Sequence, residues 1–89
     1  MPEISRFFGI VIHMFVEPGG RHHRAHFHAR YQDAAGVYTI DEIELVAGGL
    51  PRPQHRLVLA WAELHQRELL ADWEALQTGE PAATIEPLR

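Results

Sequence analysis

Ala25-His26-Phe27-His28-Ala29-Arg30-Tyr31-Gln32 is the stretch on which the fold turns. Its odd positions are Ala, Phe, Ala and Tyr, and its even positions are His, His, Arg and Gln. A period of two marks a strand with one face on a core and the other turned outward. Both imidazoles and Arg30 therefore share the outward face.

The neighbouring segments extend the pattern. Arg6 to Val16 reads as one strand ended by Pro18-Gly19-Gly20, with Phe8, Ile10, Ile12, Met14 and Val16 facing the core. Asp33-Ala34-Ala35-Gly36 reads as a turn into a third strand, Val37 to Asp41, and a short fourth segment runs from Ile43 to Ala47. Pro51 and Pro53 precede a helical stretch that continues to Gln77, with Pro53 in its first turn and Gly79 as its C′ residue. About 25 residues is long for a globular helix, and a bend or a split is expected. Leu57, Trp61 and Leu64 share one side of it, whereas Leu69, Trp73 and Leu76 drift away.

These elements predict a single α+β domain over residues 1–89: an antiparallel sheet of three to four strands packed against one long C-terminal helix. The expected core is Phe8, Ile10, Ile12, Phe27, Tyr31, Tyr38, Ile40, Leu57, Trp61 and Leu64.

Composition narrows the function. The chain has 89 residues, a net charge of −4 and no cysteine, which excludes disulfides and thiolate metal sites. The acidic balance argues against wholesale attraction to nucleic acid. Charge is unevenly spread, however. Residues 21–30 hold four of the seven histidines and three of the eight arginines, with no acid among them. The longest apolar run, Phe7 to Met14, is too short to span a bilayer, and the N-terminus lacks a secretory pattern, so a cytoplasmic protein is expected.

Register follows from parity. Apolar faces are even on the first strand and odd on the second, so cross-strand pairs must have an odd residue sum. A sum near 41 suits the loop and sets His13 opposite His28, which gathers His13, His26 and His28 on one outward face. In the second hairpin a sum near 69 pairs Tyr31 with Tyr38 and His28 with Asp41.

Three chemistries fit this surface. His13, His26 and His28 could ligate Zn²⁺, Ni²⁺ or Cu²⁺, all of which accept imidazole nitrogen. His26 and His28 could serve as acid and base, with Arg24 or Arg30 stabilising phosphate charge, in chemistry on RNA. Arg21, His22, His23, Arg24 and Arg30 could hold RNA or an acidic partner without catalysis, leaving a structural or interaction module. Phe7, Val11 and Phe15 fall on the same outer face, which suggests a homodimer through that face or an edge. His65 and Glu68 form a secondary candidate pair on the helix. Their simplest reading is a surface i,i+3 pair.

The residues also resemble a known family. Met1 to Ile12, His26-Phe27-His28, Arg56 to His65, Glu68-Leu69, Trp73 and Ile85-Glu86-Pro87-Leu88 together resemble a bacterial family of small proteins catalogued as domain of unknown function number 4160. The resemblance covers nearly the whole chain. His22 matches a family His four residues before the His-Phe-His element, and His26, His28, Trp61, His65 and Glu68 match as well. Where the family has Pro-Pro before that element, this chain has Arg24-Ala25. The resemblance implies no activity. It implies a toxin–antitoxin-like context, with a small protein encoded beside it in the same operon as partner and RNA as a target.

Overall fold

The computed structural model describes residues 3–16 and 24–89. It is an α+β fold with five strands and two helices: β1 Glu3–Phe7, β2 Ile10–His13, β3 His26–Tyr31, β4 Ala34–Thr39, β5 Leu45–Gly49, α1 Arg52–Leu64 and α2 Gln66–Gln77. The strands form one antiparallel meander in sequence order. The α+β class is as expected, but the sheet has five strands rather than three or four, and the helix is two rather than one.

The extra strand arises at Phe8-Gly9. Both residues have positive φ (50° and 80°), and Phe7 pairs with Ile10, so the expected first strand folds back as a two-residue hairpin. Positive φ at both central residues matches the right-handed twist of the flanking strands. Parity reverses across the turn. Ile10, Ile12 and Met14 are buried as expected, but on β1 Phe7 and Ser5 point inward, and Phe8 sits exposed at the hairpin tip. Phe8 is thus not core, and Phe7 is not on the outer face. A bulge between Glu3 and Ser5 then lets Ile4 turn inward too.

The helix breaks at His65, whose φ of −120° ends α1 and begins α2. Buried positions nonetheless run continuously through the break: Val58, Trp61, Ala62, Leu69 and Asp72, flanked by half-buried Leu57, Trp73 and Leu76. The inward stripe follows Val58 and Ala62 rather than the leucines, so Leu64 is 70% exposed instead of core. Tyr31 and Leu57 are only half-buried at its margin. Pro53 lies in the first turn of α1 as expected. Gly79 (φ 84°) ends α2 with the Glu80 N–H on the Ala75 carbonyl (2.8 Å) and the Gly79 N–H on that of Leu76 (3.2 Å). This is a Schellman closure, in which glycine carries the left-handed turn.

Trp61 is the hub of the core. Its ring packs on Phe7 (5.3 Å) and edge-on to Phe27 (5.8 Å), and Phe27 stacks on Tyr38 (5.5 Å). Its indole N–H donates to the Glu86 carbonyl (2.8 Å), which draws the C-terminal segment across the helices. The Ile85 N–H donates to the Ile4 carbonyl (2.7 Å), so this segment also fastens the β1 edge, and the Ile85 side chain is buried.

Candidate functional site

The first hairpin has the expected register. Ile10 pairs with Tyr31, Val11 with Arg30, Ile12 with Ala29 and His13 with His28. Phe27, Ala29, Ile10 and Ile12 are buried, leaving His13, His26, His28 and Arg30 on the opposite face. Directly opposed side chains start from Cβ atoms about 4.5–5.5 Å apart, and His13 and His28 occupy such positions.

The second hairpin differs. Gln32 and Asp33 alone make the turn, Gln32 with φ 53°, and Tyr31 pairs with Ala34. The tighter loop slides β4 by four residues, keeping the faces but changing the partners. Phe27 meets Tyr38 on the core side, and His28 meets Val37 rather than Asp41. The expected carboxylate beside His28 is therefore absent from that position.

Asp41 instead belongs to Arg24. The Arg24 Nε donates to both Asp41 carboxylate oxygens (3.3 Å each), its Nη2 donates to Glu42 Oε1 (2.9 Å), and Glu44 lies 3.7 Å away. The Arg24 guanidinium holds the Asp41 carboxyl below the usual range. One exposed cation is thus shared among three carboxylates. Of the expected basic residues, Arg30 remains exposed on the outer face, whereas Arg21, His22 and His23 lie outside the described residues.

Phe15, just beyond β2, folds over His28 with the rings stacked 4.6 Å apart at 18°. His13, Phe15, His28, Ala29, Arg30 and Ala35 line an open cleft of about 250 Å³ on the outer face. Burial pushes the His13 pKa down from 6.5, against the pull of Glu3, and its Nδ1 is buried with no hydrogen-bond partner among the described residues. Burial thus favours the neutral form of the His13 imidazole, a form able to accept a proton.

His26 stands at the end of the trio. Its ring lies edge-on to His28 (5.4 Å) and 5.0 Å from Trp73 of α2. The His26 Nδ1–H donates to the Arg24 carbonyl (2.9 Å), which fixes a proton on that nitrogen. Among the described residues, no three His, Asp or Glu side chains come together so as to hold a metal ion. The three strand histidines share a face without forming a ligand set there.

His65 and Glu68 form a separate pair. His65 Nδ1 meets Glu68 Oε1 at 2.6 Å, and the imidazole lies 5.7 Å from Trp61, in the helical layer rather than at the cleft. Two further polar groups make hydrogen bonds that the sequence reading did not give. Tyr38, fully buried, shares a 2.9 Å hydrogen bond between its hydroxyl and His55 Nδ1 in the first turn of α1. Asp72 is 5% exposed, its Oδ1 accepts the Ala83 N–H (2.9 Å), and its Oδ2 has no partner among the described residues. The available signal for Asp72 was an acid on the same helical stripe as Trp61.

Among the described residues, no helix is long and apolar enough to cross a membrane. No curated protein matches the chain, and neither does any solved structure. Residues 9–74 match a domain of unknown function, DUF4160. That span takes in β2 to β5, α1 and most of α2, including the whole cleft, and the chain belongs to the DUF4160 family.

Proposed function

We propose that this protein is a small RNA-binding module of toxin–antitoxin type, paired with a small operon partner, that takes single-stranded RNA at the outer-face cleft. The observation that carries this reading is the grouping of Phe15, His28, His13 and Arg30 around one open cavity. A stacked aromatic pair offers a surface for a base, an exposed guanidinium offers a partner for phosphate, and the imidazoles offer donors. The overall charge of −4 fits a local mode of capture rather than a long basic track. Binding should therefore show a shallow salt dependence, with a log–log slope of about −0.7 to −1.4 for one or two phosphate contacts on a single strand.

The test is fluorescence anisotropy with a labelled single-stranded RNA. Binding is expected for the native chain, lost in His28→Ala combined with Arg30→Ala, and retained in Arg24→Ala, whose guanidinium is already committed to three carboxylates. Absence of binding by the native chain overturns the proposal and leaves an interaction role with the partner protein. Incubation of the same RNA reads catalysis directly: shortening that disappears in His13→Ala makes the protein an enzyme. Regulated expression completes the test of context, since a toxin arrests growth and the same double substitution relieves the arrest. Zn²⁺, Ni²⁺ or Cu²⁺ binding through His13, His26 and His28 has less support, because no ligand set is gathered there.

A further inference from the structure

The two edges of the sheet are finished differently. At β1, the C-terminal segment adds a backbone bond at Ile4 and buries Ile85. At β5, no further strand follows among the described residues, and Leu45, Val46, Ala47 and Gly48 are all exposed. Leu45–Gly49 carries neither charge nor proline. The strand is irregular, with a register shift against β4 between Leu45 and Ala47 and Gly48 at φ 67°, but it lacks the Lys, Pro or covering loop that commonly guards an edge, and its outward N–H and C=O groups can template another strand.

The charges on either side of β5 select the occupant. Asp41, Glu42 and Glu44 precede the strand and share Arg24 alone among the described residues, leaving two negative charges in excess there. Arg52 and Arg56 follow it in the first turns of α1, where there is no acid in the first turn to offset them. The strand thus runs from an acidic end to a basic end. Antiparallel pairing with an identical strand, centred on Ala47, sets Leu45 opposite Gly49 and brings Glu42 and Glu44 of each copy towards Arg52 and Arg56 of the other. Parallel pairing would set like charges side by side.

We propose that β5 is a homodimerisation edge, where a second copy of this chain adds antiparallel about a two-fold axis at Ala47 and continues the five strands into a ten-stranded sheet. The interface is isologous, as a two-fold pairing requires. It leaves the outer-face cleft of both copies open and does not depend on what that cleft binds. A five-residue strand buries little area, so the dimer is reversible and concentration-dependent, at the weak end of specific interfaces.

Ala47→Cys tests the geometry directly, because the chain has no native cysteine. Opposed Cα atoms at a two-fold in an antiparallel pair fall within disulfide range. Mild oxidation is expected to cross-link Ala47→Cys, while Leu70→Cys, also exposed but on α2, stays monomeric. Sedimentation velocity over a wide concentration series reads the charge pattern. Arg52→Glu and Glu42→Arg each weaken the native dimer about tenfold, and the two together restore it. Circular dichroism confirms that each variant is folded. The proposal is overturned by a native chain that stays monomeric throughout, by cross-linking at Ala47 no faster than at Leu70, or by a double charge swap that restores nothing.

Discussion

His13 on β2 and His28 on β3 stand directly opposite one another, and burial pushes the His13 imidazole towards its neutral form. In an NMR titration, the His13 ring is expected to titrate below 6.5. Glu3 opposes the shift, while Arg30 and His28 add to it. The sign for stability follows. The unfolded chain binds the proton more readily than the folded one, so stability is full above about pH 6.5 and falls as pH drops towards the lowered folded value. His13→Gln should flatten the dependence of urea midpoint on pH across that interval. An unchanged dependence would show that His13 is solvated.

Asp72 has the opposite sign. Burial, reinforced by Glu68, raises its pKa above 3.8, although the Ala83 N–H works against the shift. The folded state then binds the proton more tightly, and stability rises as pH falls through the raised value towards the ordinary one. Asp72→Asn keeps an oxygen for Ala83 and removes the buried charge. The variant should match or exceed the native chain in thermal midpoint at pH 7 and lose that advantage near pH 4. A variant destabilised by about 2 kcal/mol at both pH values would instead mean that the carboxylate is needed as such.

Gly48 is fixed by both conformation and space. It has φ 67°, and a Cβ there would lie 2.2 Å from the Ala35 carbonyl oxygen. The obstacle is backbone, which cannot swing aside. Gly48→Ala should cost upwards of about 2 kcal/mol, more than the conformational penalty of about 1 kcal/mol alone. Gly79→Ala, with the same sign of φ but open space around it, should show only the conformational part. Chemical denaturation of both variants checks the difference.

Tyr38 joins the sheet to α1 through His55. Tyr38→Phe keeps the stacking on Phe27 and deletes the hydroxyl, leaving the half-buried His55 Nδ1 without its partner. A loss of about 1 kcal/mol is expected. His55→Phe, which removes the other partner and retains a ring against Tyr38, should not add to it in the double variant. Full additivity would mean that the two groups are independently solvated.

The face carrying the histidines was legible because it rests on a local alternation over eight residues. The first register followed from parity and was found as expected. The second did not, because Gln32-Asp33 turns the chain with a positive φ at glutamine, without the Gly or Asn that usually announces it. Phe8-Gly9 hid a hairpin for a related reason: phenylalanine at φ 50° has no sequence signal, so two strands read as one. The break at His65 has neither proline nor glycine to mark it. The ion cluster on Arg24 joins residues 17 and 18 positions apart, and no local pattern reports it. That cluster moved the reading of the site furthest. It ties Arg24 to the acidic turn before β5, while Arg30 lies beside Phe15 and His28 at the cleft.

The bond between Ile4 and Ile85 brings residues from opposite ends of the chain into contact. A meander whose every strand pairs with its sequence neighbour could be cut at any hairpin if those ends were joined. A short Gly-Ser linker between them, with new termini opened at Gln32-Asp33, would give a circular permutant with the same sheet and core. In that permutant, β3 and β4 would hold their register without a covalent turn. Whether the histidine cleft survives would then report how far the shape of that face is written into the sheet rather than into the loop beside it.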